Sequence, residues 1–161
     1  MKQIDRAEAE RLVQTYSDLI LRLSYTYLKS THDAEDICQN VFLKLLTGEV
    51  KFDSSAHEKA WIIRTTANAC KDELRAFRRR SADLDTVAET PAPDAPDGSV
   101  LAAVMALPQK YREAIYLHYY EGYTVREIAV MLSRSEAAVT SQLSRGREKL
   151  RGELGGACYE Q

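Results

Sequence analysis

The sequence predicts an all-α fold: two small helical domains joined by a flexible acidic linker. Three observations carry this reading. Apolar residues recur every three or four positions on both sides of residues 81–100, the repeat of a helix face. Seven Gly and four Pro in 161 residues are too few for a chain built from many β-turns. The segment 81–100 holds Asp83, Asp85, Glu89, Asp94 and Asp97, no Lys or Arg, and Pro91, Pro93 and Pro96. That composition buries too little apolar surface to offset the entropy of ordering. It reads as a tether that spans up to about 65–70 Å when extended. The domains are then residues 1–80 and 101–155, around a linker at 81–100, with a short tail at 156–161.

In the first domain, Leu12, Tyr16, Leu19, Ile20, Leu23 and Tyr27 mark one face of a helix from about Asp5 to Leu28. Ser30 or Thr31 is placed to cap a second helix. Its first turn carries Asp33, Glu35 and Asp36, which suit the positive end of the helix dipole. Ala34, Ile37, Cys38, Val41 and Leu45 give its core face, and Gly48 ends it. A third helix runs from about Glu58 to Arg79. Ile63, Ala67, Cys70, Leu74 and Phe77 share one face. Trp61, Arg64, Asn68, Lys71, Arg75 and Arg78 follow spacings of 3, 4, 3, 4 and 3 and form a stripe rotated by about 100°.

The second domain opens with Val100 to Leu107, and Pro108 starts the next helix. Tyr111, Ala114, Ile115 and His118 are its core side, and Gly122 ends it. Val125, Ile128, Ala129 and Leu132 then form a short amphipathic helix from about Thr124. Ser133, Arg134 and Ser135 make a tight turn, with Ser135 as N-cap. Val139, Leu143 and Leu150 anchor a last helix. This is the layout of a helix-turn-helix, whose second helix enters the DNA major groove. Its outward residues are Glu136, Ala138, Thr140, Ser141 and Gln142, followed by Arg145, Arg147, Lys149 and Arg151. The turn needs φ > 0 where a Gly usually stands, and here the candidate is Ser133.

The formal net charge of −2 argues against a nucleic-acid binder when taken as a total. By segment it resolves into +2 for residues 1–80, −5 for 81–100 and +1 for 101–161. Lys71 to Arg80 carries five cations against two acids, and so does Arg134 to Arg151. The Trp61 stripe has what a nucleic-acid strand needs. Cations neutralise phosphates, a ring stacks on a base, and an amide reads a base edge. Periodicity alone leaves two roles open for this stripe, a nucleic-acid surface or an ordinary solvated face. It leaves two for Trp61 as well, a stacking ring or a plug in the core.

Other features exclude other classes. No apolar run approaches the roughly 20 residues of a membrane span, and Met1 to Glu10 lacks the apolar core of a signal peptide. Cys38, Cys70 and Cys158 form neither a metal-spaced pair nor a disulfide framework, so the expectation is a reducing cytoplasm. Cys38 and Cys70 read as core residues. Tyr116, Tyr119, Tyr120 and Tyr123 read as packing between helices. No phosphate loop, activated nucleophile or carboxylate pair points to catalysis, and no cofactor, metal or small-molecule substrate is expected.

Taken together, "DAEDICQNVFLKLL" (Asp33 to Leu46), "AWIIRTTANACKDELRAFRRR" (Ala60 to Arg80) and "LPQKYREAIYLHYYEGYTVREIAVMLSRSEAAVTSQLSRGREKLR" (Leu107 to Arg151) resemble one family. In this order, around an acidic Pro-containing linker, they resemble the extracytoplasmic-function group of sigma-70-type RNA polymerase sigma factors. The resemblance runs from about Leu12 to Leu154. It implies a region 2 bundle in residues 1–80 and a region 4 helix-turn-helix in residues 101–155.

The resemblance implies roles for individual residues. Asp33, Asp36, Gln39, Asn40 and Phe42 fall on the segment that docks on the clamp helices of core polymerase. An exposed aromatic with a polar rim suits such an anchor. Trp61, Arg64, Asn68, Lys71, Arg75, Arg78 and Arg79 fall on the element that opens and reads the −10 promoter region. Lys51 to Glu58 is the loop before it, and Asn68 is the first choice for a base edge. Arg134, Ser135, Ala138, Thr140, Ser141, Arg145, Arg147 and Lys149 fall on the −35 reader. Many relatives carry cations at the positions of Thr140 and Gln142, where this chain is neutral. Gly146 replaces a more usual Ala, at a helix-propensity cost of up to about 1 kcal/mol. The implied partners are core RNA polymerase, through its clamp helices and flap, promoter DNA and an anti-sigma factor. Two other classes stay open: a helix-turn-helix regulator that binds duplex alone, and an adaptor whose stripes face protein partners.

Overall fold

A computed structural model describes residues 5–48, 51–84 and 100–154. Most of the segment read as a linker, residues 85–99, lies outside these, as do the tail at 156–161 and Cys158. The described helices divide into two units, α1 to α3 in one and α4 to α7 in the other. No strand occurs among the described residues.

In the first unit, α1 (Arg6–Leu28) begins where the Asp5 carboxylate accepts from the Glu8 N–H at 2.8 Å. It ends at Lys29, which turns left-handed with φ 57° so that its N–H reaches the Tyr25 carbonyl. Helix α2 (Thr31–Thr47) begins at Ser30, whose hydroxyl accepts from the Asp33 N–H at 3.2 Å. Gly48 ends α2 in an extended conformation (φ −83°, ψ 156°), so its lack of a Cβ is not what stops the helix. Helix α3 (Ser55–Leu84) is capped by Ser54, whose hydroxyl accepts from the His57 N–H. It runs four residues past the expected domain edge at Arg80, into the segment read as linker.

The predicted faces of α1 and α2 are buried, except that Cys38 is half-buried. In α3 the core face is wider and shorter than expected. Ile62, Ile63, Thr66, Ala67 and Cys70 are buried, Leu74 is half-buried and Phe77 is 45% exposed. The reason is length. Thirty residues make α3 about 45 Å long, against about 26 Å for the 17 of α2, so its last turns outrun their cover.

One buried charge ties α1 to α3. Glu58, in the first turn of α3, is 8% exposed. It accepts from the Tyr16 hydroxyl at 2.6 Å and from the Arg11 guanidinium at 3.0 and 3.3 Å. Burial first, and Glu58 second, push the Tyr16 phenol well above its ordinary value.

In the second unit, α4 (Val100–Met105) leads into α5 (Gln109–Ile115). Buried Arg112 donates to the Leu107 and Met105 carbonyls at 3.0 and 3.3 Å, which satisfies the orphan end of α4. The expected single helix to Gly122 is interrupted, because Tyr116–Tyr120 form a π-helical turn. The wider turn slips the register, so His118 is half-buried rather than core. Tyr119 and Tyr120 stand 56% and 63% exposed, and only Tyr116 of that cluster is buried. Gly122, at φ 81°, does require its missing Cβ.

Helix α6 (Val125–Leu132) opens with a capping box. The Thr124 hydroxyl accepts from the Glu127 N–H, and the Glu127 carboxylate accepts from the Thr124 N–H at 3.0 Å. That N–H holds the Glu127 carboxyl below its usual value. Ser133 takes the left-handed conformation the turn requires, φ 55° and ψ 49°. Ser135 then caps α7 (Glu136–Leu154), its hydroxyl accepting from the Ala138 N–H at 3.0 Å. Val139, Leu143, Gly146 and Leu150 form the buried line of α7.

Candidate nucleic-acid and protein interfaces

The α2 surface starts from Asp36, Gln39, Asn40 and Leu43, all exposed at spacings of three or four. Asp33 is half-buried in the first turn. Asp36 faces His32 one turn earlier, 3.8 Å away. Phe42, expected as the exposed anchor, is half-buried, and the large apolar side chain in solvent is Leu43, at 59%. Leu43 carried a signal of its own, since it continues the 36–39 spacing by four.

The α3 stripe is brought to the surface as a line. Arg64, Asn68, Arg75, Arg78 and Arg79 are exposed, while Lys71 and Trp61 are half-buried. Trp61 is neither a free ring nor a core plug. It packs edge-on against Phe52 with ring centroids 5.7 Å apart, and Phe52 packs edge-on against His57 at 5.4 Å. Phe52 and His57 lie in the Lys51 to Glu58 loop that the resemblance marks, and no periodicity points to either ring. The His57 Nδ1 accepts from the Asp53 N–H at 3.2 Å, which fixes the ring at the helix entrance. Not all the cations are equally available. Arg75 pairs with Asp72 one turn before it, and Arg80 with Glu73 at 3.3 Å. The outcome is an aromatic cluster at the helix entrance, an exposed amide midway and positive charge toward the far end. That order can stack a ring, read an edge and hold phosphates along one strand.

The α7 surface differs in detail from the predicted face. Glu136, Ala137, Thr140, Ser141, Ser144 and Arg145 are exposed, whereas Ala138 and Gln142 are half-buried. The buried line through Val139, Leu143 and Gly146 sets the phase, and at 100° per residue positions 138 and 142 fall beside it. Ser135 is spent as the cap. Arg134 turns inward, pairing with Glu113 of α5 and donating to the Gln142 amide oxygen at 2.9 Å. Arg145 hydrogen-bonds the Tyr111 hydroxyl and so lowers its pKa. Arg147 donates to the Tyr119 hydroxyl at 2.8 Å. Lys149 is exposed. The outward-facing part of α7 is therefore short and polar, with its cations toward the C-terminal half.

No group of three or more metal-ligating side chains gathers among the described residues, and no described helix is long and apolar enough to cross a membrane. Burial pushes the Cys70 thiol up to about 12. It raises that of Cys38 too.

Comparison with known proteins gives this geometry a family. The Sigma-70 region 2 profile matches residues 12–80 and the Sigma-70, region 4 profile residues 97–150. The ECF RNA polymerase sigma factor SigE of Mycolicibacterium smegmatis is 32% identical over 157 residues, covering 90% of this chain; the chain spans 61% of that relative's length. The RNA polymerase sigma factor CarQ of Myxococcus xanthus is 34% identical over 132 residues, covering 76% of this chain and 75% of CarQ. The sigma factor RpoE from Bartonella quintana, solved with the anti-sigma factor NepR, has the same fold. Its TM-score is 0.76 at 21% identity, over 92% of this chain and 97% of that one. With both region profiles matched in order and a relative one-third identical over three quarters of its length, the chain belongs to the sigma-70 family of RNA polymerase sigma factors, in its extracytoplasmic-function group.

Proposed function

We propose that this chain binds core RNA polymerase and directs promoter-specific initiation, reading the −10 element with its first unit and the −35 element with its second. The observation that carries the reading is the pairing, in one chain, of an exposed Arg64–Asn68–Arg75 line with a helix-turn-helix. Residues 1–80 are the −10 and polymerase-binding domain, residues 101–155 the −35 domain, and 81–100 the tether between them. On α2, Asp36, Gln39, Asn40 and Leu43 form the outer polymerase-binding edge, flanked by half-buried Asp33 and Phe42.

Unstacking a promoter base costs a few kcal/mol, which stacking and phosphate contacts must offset. The Phe52 and Trp61 rings suit stacking, the Asn68 amide suits a base edge, and Arg64, Arg78 and Arg79 suit the phosphates. On the −35 side, Ser135, Thr140, Ser141, Arg145 and Lys149 are the exposed members of the predicted set, and the Ser135 hydroxyl is engaged as the helix cap.

This is a regulatory role without catalysis of its own, exercised in the cytoplasm, where promoter and polymerase are. The near-neutral charge of each unit supports DNA binding in the company of polymerase rather than alone. An anti-sigma factor is a fitting partner, as one is for the structural neighbour. Run-off transcription with holoenzyme reconstituted from this chain tests the reading. Start sites that map downstream of a common −10 and −35 pair are expected. Tight, sequence-specific duplex binding by the free chain would overturn it in favour of a conventional helix-turn-helix regulator.

A further inference from the structure

We infer that Arg134 is a positioning residue for −35 recognition and not a DNA contact: from the turn it supplies the cation that buried Glu113 requires, and its guanidinium fork holds Gln142 of the recognition helix. The inference rests on the reading of α7 as the −35 element.

The argument begins with Glu113. Its side chain is 1% exposed, and a carboxylate so placed needs a cation and hydrogen bonds. Arg134, its side chain 19% exposed, supplies the cation across the turn. A guanidinium carries only donors, arranged in a fixed fork. One amino group faces Glu113, and the other donates to the Gln142 oxygen at 2.9 Å. Chemistry alone therefore sets the Gln142 amide, because only its oxygen can face an arginine.

Three elements are clamped at one point: α5 through Glu113, the turn through Arg134, and α7 through Gln142. For Arg134 to reach a phosphate it would have to leave Glu113 bare in the interior. Gln142, at the edge of the buried line, is likewise engaged. Base reading is left to the outer face, chiefly Thr140 and Ser141. The sequence places Arg134 in a basic segment, and the fold withdraws it from that surface.

The geometry also offers a rescue. Gln142 lies within hydrogen-bond distance of the guanidinium that neutralises Glu113, so a cation at position 142 can take over the task. The test uses holoenzyme reconstituted with the full chain. It measures transcription from promoters with intact or scrambled −35 elements, and promoter affinity as a function of salt. Arg134→Ala is expected to lower −35-dependent transcription by about tenfold or more while leaving the salt slope unchanged. Adding Gln142→Arg is expected to restore transcription to within about threefold. A phosphate contact predicts instead that Arg134→Ala reduces the salt slope by about 1, as Lys149→Ala should, and that no rescue occurs. That result overturns the inference.

If Arg134→Ala fails to fold, the double variant decides. A folded, active double variant supports the clamp, and one that is unfolded or inactive overturns it. Equal transcription by the unsubstituted chain from intact and scrambled −35 elements is a separate result, which overturns the −35 reading itself.

Discussion

Gly146 of α7 lies against Ile115 of α5 so closely that a Cβ added to the glycine would stand 3.0 Å from the Ile115 Cγ1 and 3.1 Å from its Cδ1. This contact explains a residue that helix propensity alone disfavours. Helix α7 gives up about 1 kcal/mol of propensity at Gly146 and gains close backbone approach to α5.

Propensity and packing therefore make opposite predictions for Gly146→Leu. Propensity predicts a more stable helix. The contact with Ile115 predicts overpacking, with a loss of about 1–3 kcal/mol. We expect the loss, read as a lower urea midpoint for the second unit. An unchanged or higher midpoint would show that α5 and α7 have room to spare.

The Glu58 network should cost more to break than a surface pair that shares its arginine. Arg11 bonds both Glu8, whose side chain is 44% exposed, and Glu58, whose side chain is 10% exposed. Glu58→Ala also strands the buried Tyr16 hydroxyl, and a loss of about 3–5 kcal/mol is expected. Glu8→Ala should cost less than about 1 kcal/mol. Urea denaturation of the two variants gives the comparison, and equal losses would refute the role assigned to burial.

Cys70 should be chemically silent while the first unit is folded. Its thiol is pushed up to about 12 from 9.0, chiefly by burial. The sign follows: a pKa raised by folding contributes stability that is full below about pH 9 and is lost as pH rises toward 12. The stability advantage of the natural chain over Cys70→Ala should therefore shrink across that interval. In a Cys158→Ser background at pH 8, half-buried Cys38 should label with a thiol reagent well before Cys70. Mass spectrometry of the labelled peptides reads the order.

The proposed interfaces separate by variant. Asn68→Ala removes an exposed amide and should lower promoter-dependent transcription by about tenfold, with core binding intact. Leu43→Ala should do the reverse, weakening holoenzyme assembly without moving the melting temperature. Phe42→Ala should lower both, because that ring is partly packed within the unit. An Asn68→Ala chain that lost core binding in step with transcription would point to a folding role.

Much of the fold was legible because its causes are local. The core faces of α1 and α2 follow from spacing, and the starts of α2, α6 and α7 from Ser30, Thr124 and Ser135. Even the left-handed turn at Ser133 was marked by the missing glycine. The π-helical turn at Tyr116–Tyr120 was not legible, since its residues suit an ordinary helix and only packing around the turn selects the wider coil. Lys29 gave no warning of its left-handed φ either, for lysine has no preference for it.

The sequence by itself determined the helical class, the order of the elements and the two basic helices, because period and charge are properties of neighbours along the chain. Only the tertiary structure decided which candidate side chains face outward. Arg134 went to Glu113, Arg147 to Tyr119, Leu43 came to the surface and Phe42 only partly so. Such outcomes depend on partners distant in sequence, Glu113 and Arg134 being 21 positions apart, and a buried carboxylate takes its cation from whichever element the fold brings near.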